Sequence, residues 1–118
     1  MGNIDLKERT KSFALKVIKV VEMLPRGRTA DILGRQFLGA GTSVGANYRA
    51  ACRARSTADF ISKMGIVEEE ADESIYWMEL LIEAGLVRKD DLAPLLDEAD
   101  QILAITVASI KTARKGKK

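Results

Sequence analysis

The sequence contains no histidine, one cysteine, two prolines, one tryptophan, two tyrosines and three phenylalanines in 118 residues. Each shortage removes a class of protein. Without histidine there is no His-activated nucleophile, and none of the Glu-x-x-His pairs that build carboxylate-bridged dimetal bundles. A lone Cys52 cannot form an internal disulfide, which fits a reducing compartment. Scarce proline leaves long stretches open to helix, and scarce aromatics leave little for base stacking. No apolar run approaches the roughly 20 residues of a membrane span. The opening Met1-Gly2-Asn3-Ile4-Asp5-Leu6 has neither the apolar core of a signal peptide nor the Ser or Thr that myristoylation would need in place of Leu6. The expected setting is the cytoplasm.

What is abundant favours helix. With 47% apolar and 31% charged residues the chain is expected to fold as one globular domain, residues 1–118. Apolar residues recur with helical spacing in four stretches, predicting helices at about 4–24, 29–54, 57–84 and 91–113, with a frayed basic tail at 114–118. Pro25 and Gly27 end the first, and Thr29 is placed to cap the second. Ser56-Thr57-Ala58-Asp59 has the form of a capping box for the third, and Gly85 stops it. Asp91 is placed to cap the fourth, with Pro94 in its first turn. Short connections between helices of this length predict an all-α, antiparallel up-down-up-down four-helix bundle.

The second helix is unusual. Gly39-Ala40-Gly41-Thr42-Ser43-Val44-Gly45-Ala46-Asn47 carries three glycines inside a helical pattern, each costing roughly 0.5–1 kcal/mol against Ala. Gly41, Ser43, Gly45 and Asn47 are expected to form a close-packed, partly polar seam against the third helix or a neighbouring subunit; in the third-helix case Gly45 falls near Gly65 or Ile66 and Asn47 reaches a carboxylate. Gly39-x-Gly41 lacks the preceding strand of a phosphate loop, so the small residues read as packing.

In such a bundle the chain start, the middle turn and the chain end share one pole. Twelve basic and three acidic residues fall there, a local charge of +9 against +2 for the whole chain. Arg49, Arg53, Arg55, Arg114, Lys115, Lys117 and Lys118 are the candidate phosphate contacts. Elsewhere, Glu68-Glu69-Glu70-Ala71-Asp72-Glu73 invites comparison with a carboxylate metal site, but its 3.6-residue periodicity spreads it over several faces. No catalytic residue, metal or cofactor is assigned. Ile61, Trp77, Leu80 and Leu81 exceed what one core seam needs and are the candidate oligomer interface.

Gln36, Ala40, Ser43 and Asn47, with Gly41–Ala50, Phe60-Ile61, Glu68–Glu73 and Tyr76-Trp77, make the chain resemble a bacterial family. It is that of the four-helix bundle proteins encoded in intervening sequences of 23S rRNA genes. The resemblance spans nearly the whole chain. This sequence departs from the family pattern at Gly39, where Arg is frequent, and at Gly45, where Pro is common. The resemblance implies a ring-like homo-oligomer, commonly a pentamer, without enzymatic activity. It extends in form to the accessory variability proteins of diversity-generating retroelements. The reading that follows is a non-catalytic oligomer that binds RNA or DNA through its basic pole. A protein-binding scaffold with no nucleic-acid role is the alternative.

Overall fold

Capping chemistry divides the chain into four helices in the computed structural model, which describes residues 5–116: α1 (Leu6–Glu22), α2 (Arg28–Cys52), α3 (Thr57–Glu83) and α4 (Lys89–Gly116). No strand occurs among the described residues. The expected start of the first helix at residue 4 lies outside them. The Asp5 carboxylate accepts from the Glu8 N–H at 3.1 Å, satisfying one otherwise orphaned donor of α1. At the other end, Met23 and Leu24 donate to the Val20 and Val21 carbonyls, tightening the last turn before Pro25.

The second helix starts differently from expectation. Thr29 does not cap it; Gly27 does, at φ 151°, a backbone conformation suited to a residue without Cβ, and its carbonyl accepts from the Asp31 N–H at 3.0 Å. Arg28 is already helical, so Thr29 falls within the first turn. For α3, the Ser56 hydroxyl accepts from the Asp59 N–H at 3.0 Å, as the capping box predicts. The reciprocal bond lands one residue upstream: the Arg55 N–H donates to Asp59 at 3.3 Å. Gly85, at φ +76°, closes α3 with two bonds, Leu86 N–H to the Leu81 carbonyl and Gly85 N–H to that of Ile82. The fourth helix begins at Lys89, two residues before Asp91, which therefore sits in the first turn and does not cap. Pro94 consequently lies in the second turn, where it removes the donor for the Asp90 carbonyl; Asp90 is exposed and water can replace that donor. At its far end α4 continues to Gly116, so Arg114 and Lys115 stand on ordered helix and not on a frayed tail.

Packing follows the apolar lines. Phe13, Val17, Phe37, Val44, Met64, Val67, Met78, Leu81, Leu92 and Ile102 are fully buried in one shared core. Each such side chain contributes about 1.5–3 kcal/mol relative to exposure. Two buried hydroxyls in that core are satisfied within their own helices: Thr106 donates to the Ile102 carbonyl and Ser74 to that of Glu70, both at 2.8 Å. Each helix packs on its neighbours in sequence, while α1 meets α4 over a far smaller contact.

The small residues of α2 face a different partner from the one expected. A Cβ placed on Gly41 would stand 2.7 and 2.8 Å from the two Val17 methyls, and one on Gly45 would stand 3.2 Å from the Thr10 hydroxyl. Gly34 in turn faces Leu24 and Val21. These contacts descend α1 as they ascend α2, so the tight seam joins α1 to α2. A Cβ on Gly65 would meet nothing within 4 Å, which removes the predicted Gly45–Gly65 approach. Asn47 also reaches no carboxylate of α3; its amide donates to the Ser43 carbonyl at 2.8 Å within α2. The cause is helical phase: Gly41 and Gly45, four apart, share the stripe that meets α1, whereas Ser43 and Asn47 project from another.

Candidate nucleic-acid interface

The end of α2, the turn into α3 and the end of α4 come together. Ala51, Cys52, Arg55, Ser56, Phe60, Ala113 and Gly116 line one open cleft of about 510 Å³. Arg49 and Arg53 occupy the last turn and C-cap of α2, where cations are also favoured by the helix dipole. Arg114 and Lys115 occupy the last turn of α4. All four, with Arg55 and Lys111, are exposed, and none forms an ion pair among the described residues. Lys117 and Lys118 lie outside the described residues. The molecule is 51 Å long, about five Debye lengths at 0.1 M salt, so acids at the far end barely screen these bases.

Not every base of this region is free. Arg9 is held by Glu98 of α4 through two bonds at 2.7 and 2.9 Å, and also donates to Gln101 at 3.0 Å. The bond to Glu98 holds its proton more tightly still, against the opposing cost of burial. Lys63 pairs with Asp59 at 2.6 Å. That bond, together with the Arg55 N–H, keeps the Asp59 carboxyl below its ordinary range. The free basic surface is therefore carried chiefly by α2 and α4. Sequence spacing alone gives no sign of the Arg9–Glu98 pair, which joins residues 89 apart.

Aromatic chemistry is nearly absent from the cleft. Phe60 is half-buried against the core, as is Tyr48. Burial, then a bond to Cys52, pushes the Tyr48 phenol up to about 12. Tyr76, the exposed aromatic among the described residues, lies on α3 and packs edge-on to Trp77 with ring centroids 5.0 Å apart. The basic end thus offers charge and helix ends, with little ring surface.

The acidic stretch of α3 disperses less than its periodicity predicts, because three of its acids share one cleft. Glu68, Glu69 and Asp72 border a cleft with Leu103 and Val107, whereas Glu70 stands half-buried outside it. Among the described residues no three His, Cys, Asp or Glu side chains converge as a metal site would require. Burial, reinforced by Glu73 and Glu69, raises the Glu70 carboxyl above its ordinary value. A raised folded-state value means that the native chain binds this proton more tightly than the unfolded one. Stability therefore falls as pH rises through the interval between the two values, and the deficit persists above it. Glu70→Gln is expected to stabilise the fold at pH 7, by under about 1 kcal/mol, and the gain should vanish near pH 3. Paired thermal melts at the two pH values measure this.

The four apolar interface candidates separate. Leu81 is fully buried in the core and is unavailable to a second chain. Ile61 packs half-buried against the same core. Leu80 and Trp77 are partly exposed, and the Trp77 indole N–H is buried without an acceptor among the described residues. Leu15, Ile18, Met23 and Ile66, which the core lines pass over, prove to be exposed.

Comparison with known proteins places this arrangement. A family model described as 23S rRNA-intervening sequence protein matches residues 2–108. A crystal structure of a protein of unknown function from the S23 ribosomal protein family of Bacteroides thetaiotaomicron VPI-5482 superposes with a TM-score of 0.85. It is 32% identical in sequence, over 90% of this chain and 98% of that one. No curated protein matches the sequence. No helix of the described residues is long and apolar enough to cross a membrane.

Proposed function

This chain belongs to the 23S rRNA-intervening sequence protein family, and from that footing we propose that it is a non-catalytic, cytoplasmic bundle that binds RNA or DNA through its basic end. The supporting observation is that unpaired Arg55 lines the cleft, while Arg53, Arg114 and Lys115, also exposed and unpaired among the described residues, directly neighbour in sequence the residues that line it. Such a surface reads phosphate, not bases, because it offers no exposed ring for stacking. Lys117 and Lys118 follow Gly116 in sequence and are two further bases of the chain.

In this reading the helices run up-down-up-down and the bundle closes with copies of itself into a ring, a pentamer by resemblance. A ring would set several basic ends side by side and multiply the field felt by a polyanion. Fluorescence anisotropy with labelled single- and double-stranded RNA and DNA tests the reading. Affinity for at least one of them should fall roughly tenfold or more between 50 and 200 mM salt, with little dependence on base sequence. No binding at 50 mM, or binding indifferent to salt, overturns it. The half-exposed Trp77 and Leu80 favour a second reading, a scaffold for another protein, which predicts co-purification with one defined partner and no salt-sensitive nucleic-acid binding.

A further inference from the structure

The sparse contact between α1 and α4 leaves a furrow at the end of the molecule remote from the basic cleft. Two adjoining hollows of about 450 and 240 Å³ make it up, and they share Lys19, Val20 and Asp91. Its floor is apolar: Val20, Leu24, Leu86 and Val87 are half-buried, with Leu95 beneath. Its rim is basic, carrying Lys16, Lys19 and Arg88 against the single acid Asp91.

The opposite character stands on the outward stripe of α3. Glu69, Glu73, Tyr76 and Leu80 follow one another at intervals of four, three and four residues, and so share one face. Tyr76 is 53% exposed there, and between Lys63 and Arg88 the chain has seven acids and no base. Height matches as well as charge. Leu86 and Val87, just past the end of α3, line the same hollow as Lys19, Val20 and Met23, so the last turns of α3 lie level with the furrow. A ring whose axis follows the bundle keeps every residue at its own height, and only level surfaces can then meet.

We infer that the two surfaces are halves of one heterologous interface: the Glu73–Tyr76–Leu80 ridge of one copy seats in the α1–α4 furrow of the next. Tyr76 and Leu80 cover the apolar floor, and Glu73 meets Lys19 at the rim. Because ridge and furrow are different patches, each copy offers both, and the contact propagates until it closes. This rests on the self-association proposed above and names the surfaces that would carry it.

Charge reversal tests it. Lys19→Glu and Glu73→Lys are both exposed changes, so circular dichroism should report an unchanged fold. Each alone is expected to raise the dissociation constant of the assembly about tenfold or more in sedimentation, and the Lys19→Glu/Glu73→Lys pair should recover most of that loss. Recovery in the double variant supports the pairing of ridge and furrow. A wild-type oligomer that both single reversals leave intact, or folded single variants that dissociate without recovery in the pair, overturns this interface while leaving self-association standing. A monomeric wild type at micromolar concentration overturns both and leaves the furrow to another kind of protein.

Discussion

Gly41→Ala is expected to lower the melting temperature by about 4–8 °C, although alanine is the better helix former by about 1 kcal/mol. The new Cβ would lie 2.7, 2.8 and 3.1 Å from three carbons of Val17. Val17 cannot swing aside: its branched side chain is stiff at χ1 and fully buried in the core. Overpacking of this kind typically costs 1–3 kcal/mol, which exceeds the gain in propensity. Gly39, two residues earlier on the same helix, provides the control, since a Cβ there would meet nothing within 4 Å. Gly39→Ala should instead raise the melting temperature, by about 2–4 °C. Adding Val17→Ala to Gly41→Ala should leave the protein more stable than the sum of the two separate losses predicts, because the second change removes the clash made by the first. Thermal melts of the four variants settle the matter. Equal effects at Gly39 and Gly41 would show that α2 does not lie against α1 at this distance.

Neutralising Arg53, Arg55, Arg114 and Lys115 together, each to Gln, should weaken nucleic-acid binding about a hundredfold at 0.1 M salt. The same change should flatten the dependence of log affinity on log salt by about 3–4. The prediction follows from placement: these four side chains are exposed and free of acidic partners among the described residues, and each belongs to, or directly adjoins in sequence, the segments that line one cleft. The informative control is Arg26→Gln with Arg28→Gln, exposed bases at the turn from α1 into α2 and outside the furrow, which removes two charges at the other end of a 51 Å molecule. Those losses should leave the salt slope within about 0.5 of the wild type, because the sites lie several Debye lengths from the contact. Anisotropy titrations at four salt concentrations give both slopes. Equal flattening by the two sets would mean that the protein responds to net charge and not to its basic end.

The helices were legible in the sequence because their signals are local. Ser56 with Asp59, and Gly85 after a long apolar repeat, fix the bounds of α3 to within a residue. Where two signals competed, the boundary moved. Gly27 took the cap from Thr29 because a backbone free to adopt φ 151° needs no side-chain oxygen. Lys89 and Asp90 joined α4 ahead of Asp91 because acids in the first turn suit its positive end. Core residues were legible for the same reason; Phe37, Val44, Met64 and Met78 repeat on one face and are buried there.

Partners across helices were harder. That α2 carries a seam of small residues is plain from Gly41 and Gly45, but which helix fills it depends on rotation about the axis of α2. No residue of that stretch encodes rotation alone. The Arg9–Glu98 bond and the α1–α4 furrow depend on how two helices distant in sequence approach, and their side chains taken singly look like ordinary surface. Leu81 illustrates the converse: an apolar residue beside Leu80 reads as surplus until the phase of α3 carries it inward.

The order in which the helices touch also bears on how the chain reaches this state. Every extensive contact joins elements adjacent along the backbone, and the one pairing that spans the chain, α1 with α4, is slight. A topology so dominated by local closure demands little loop entropy before contacts begin to form. Folding can therefore advance hairpin by hairpin while synthesis is still under way, each new helix finding its template already emerged, with no long wait for the C-terminus.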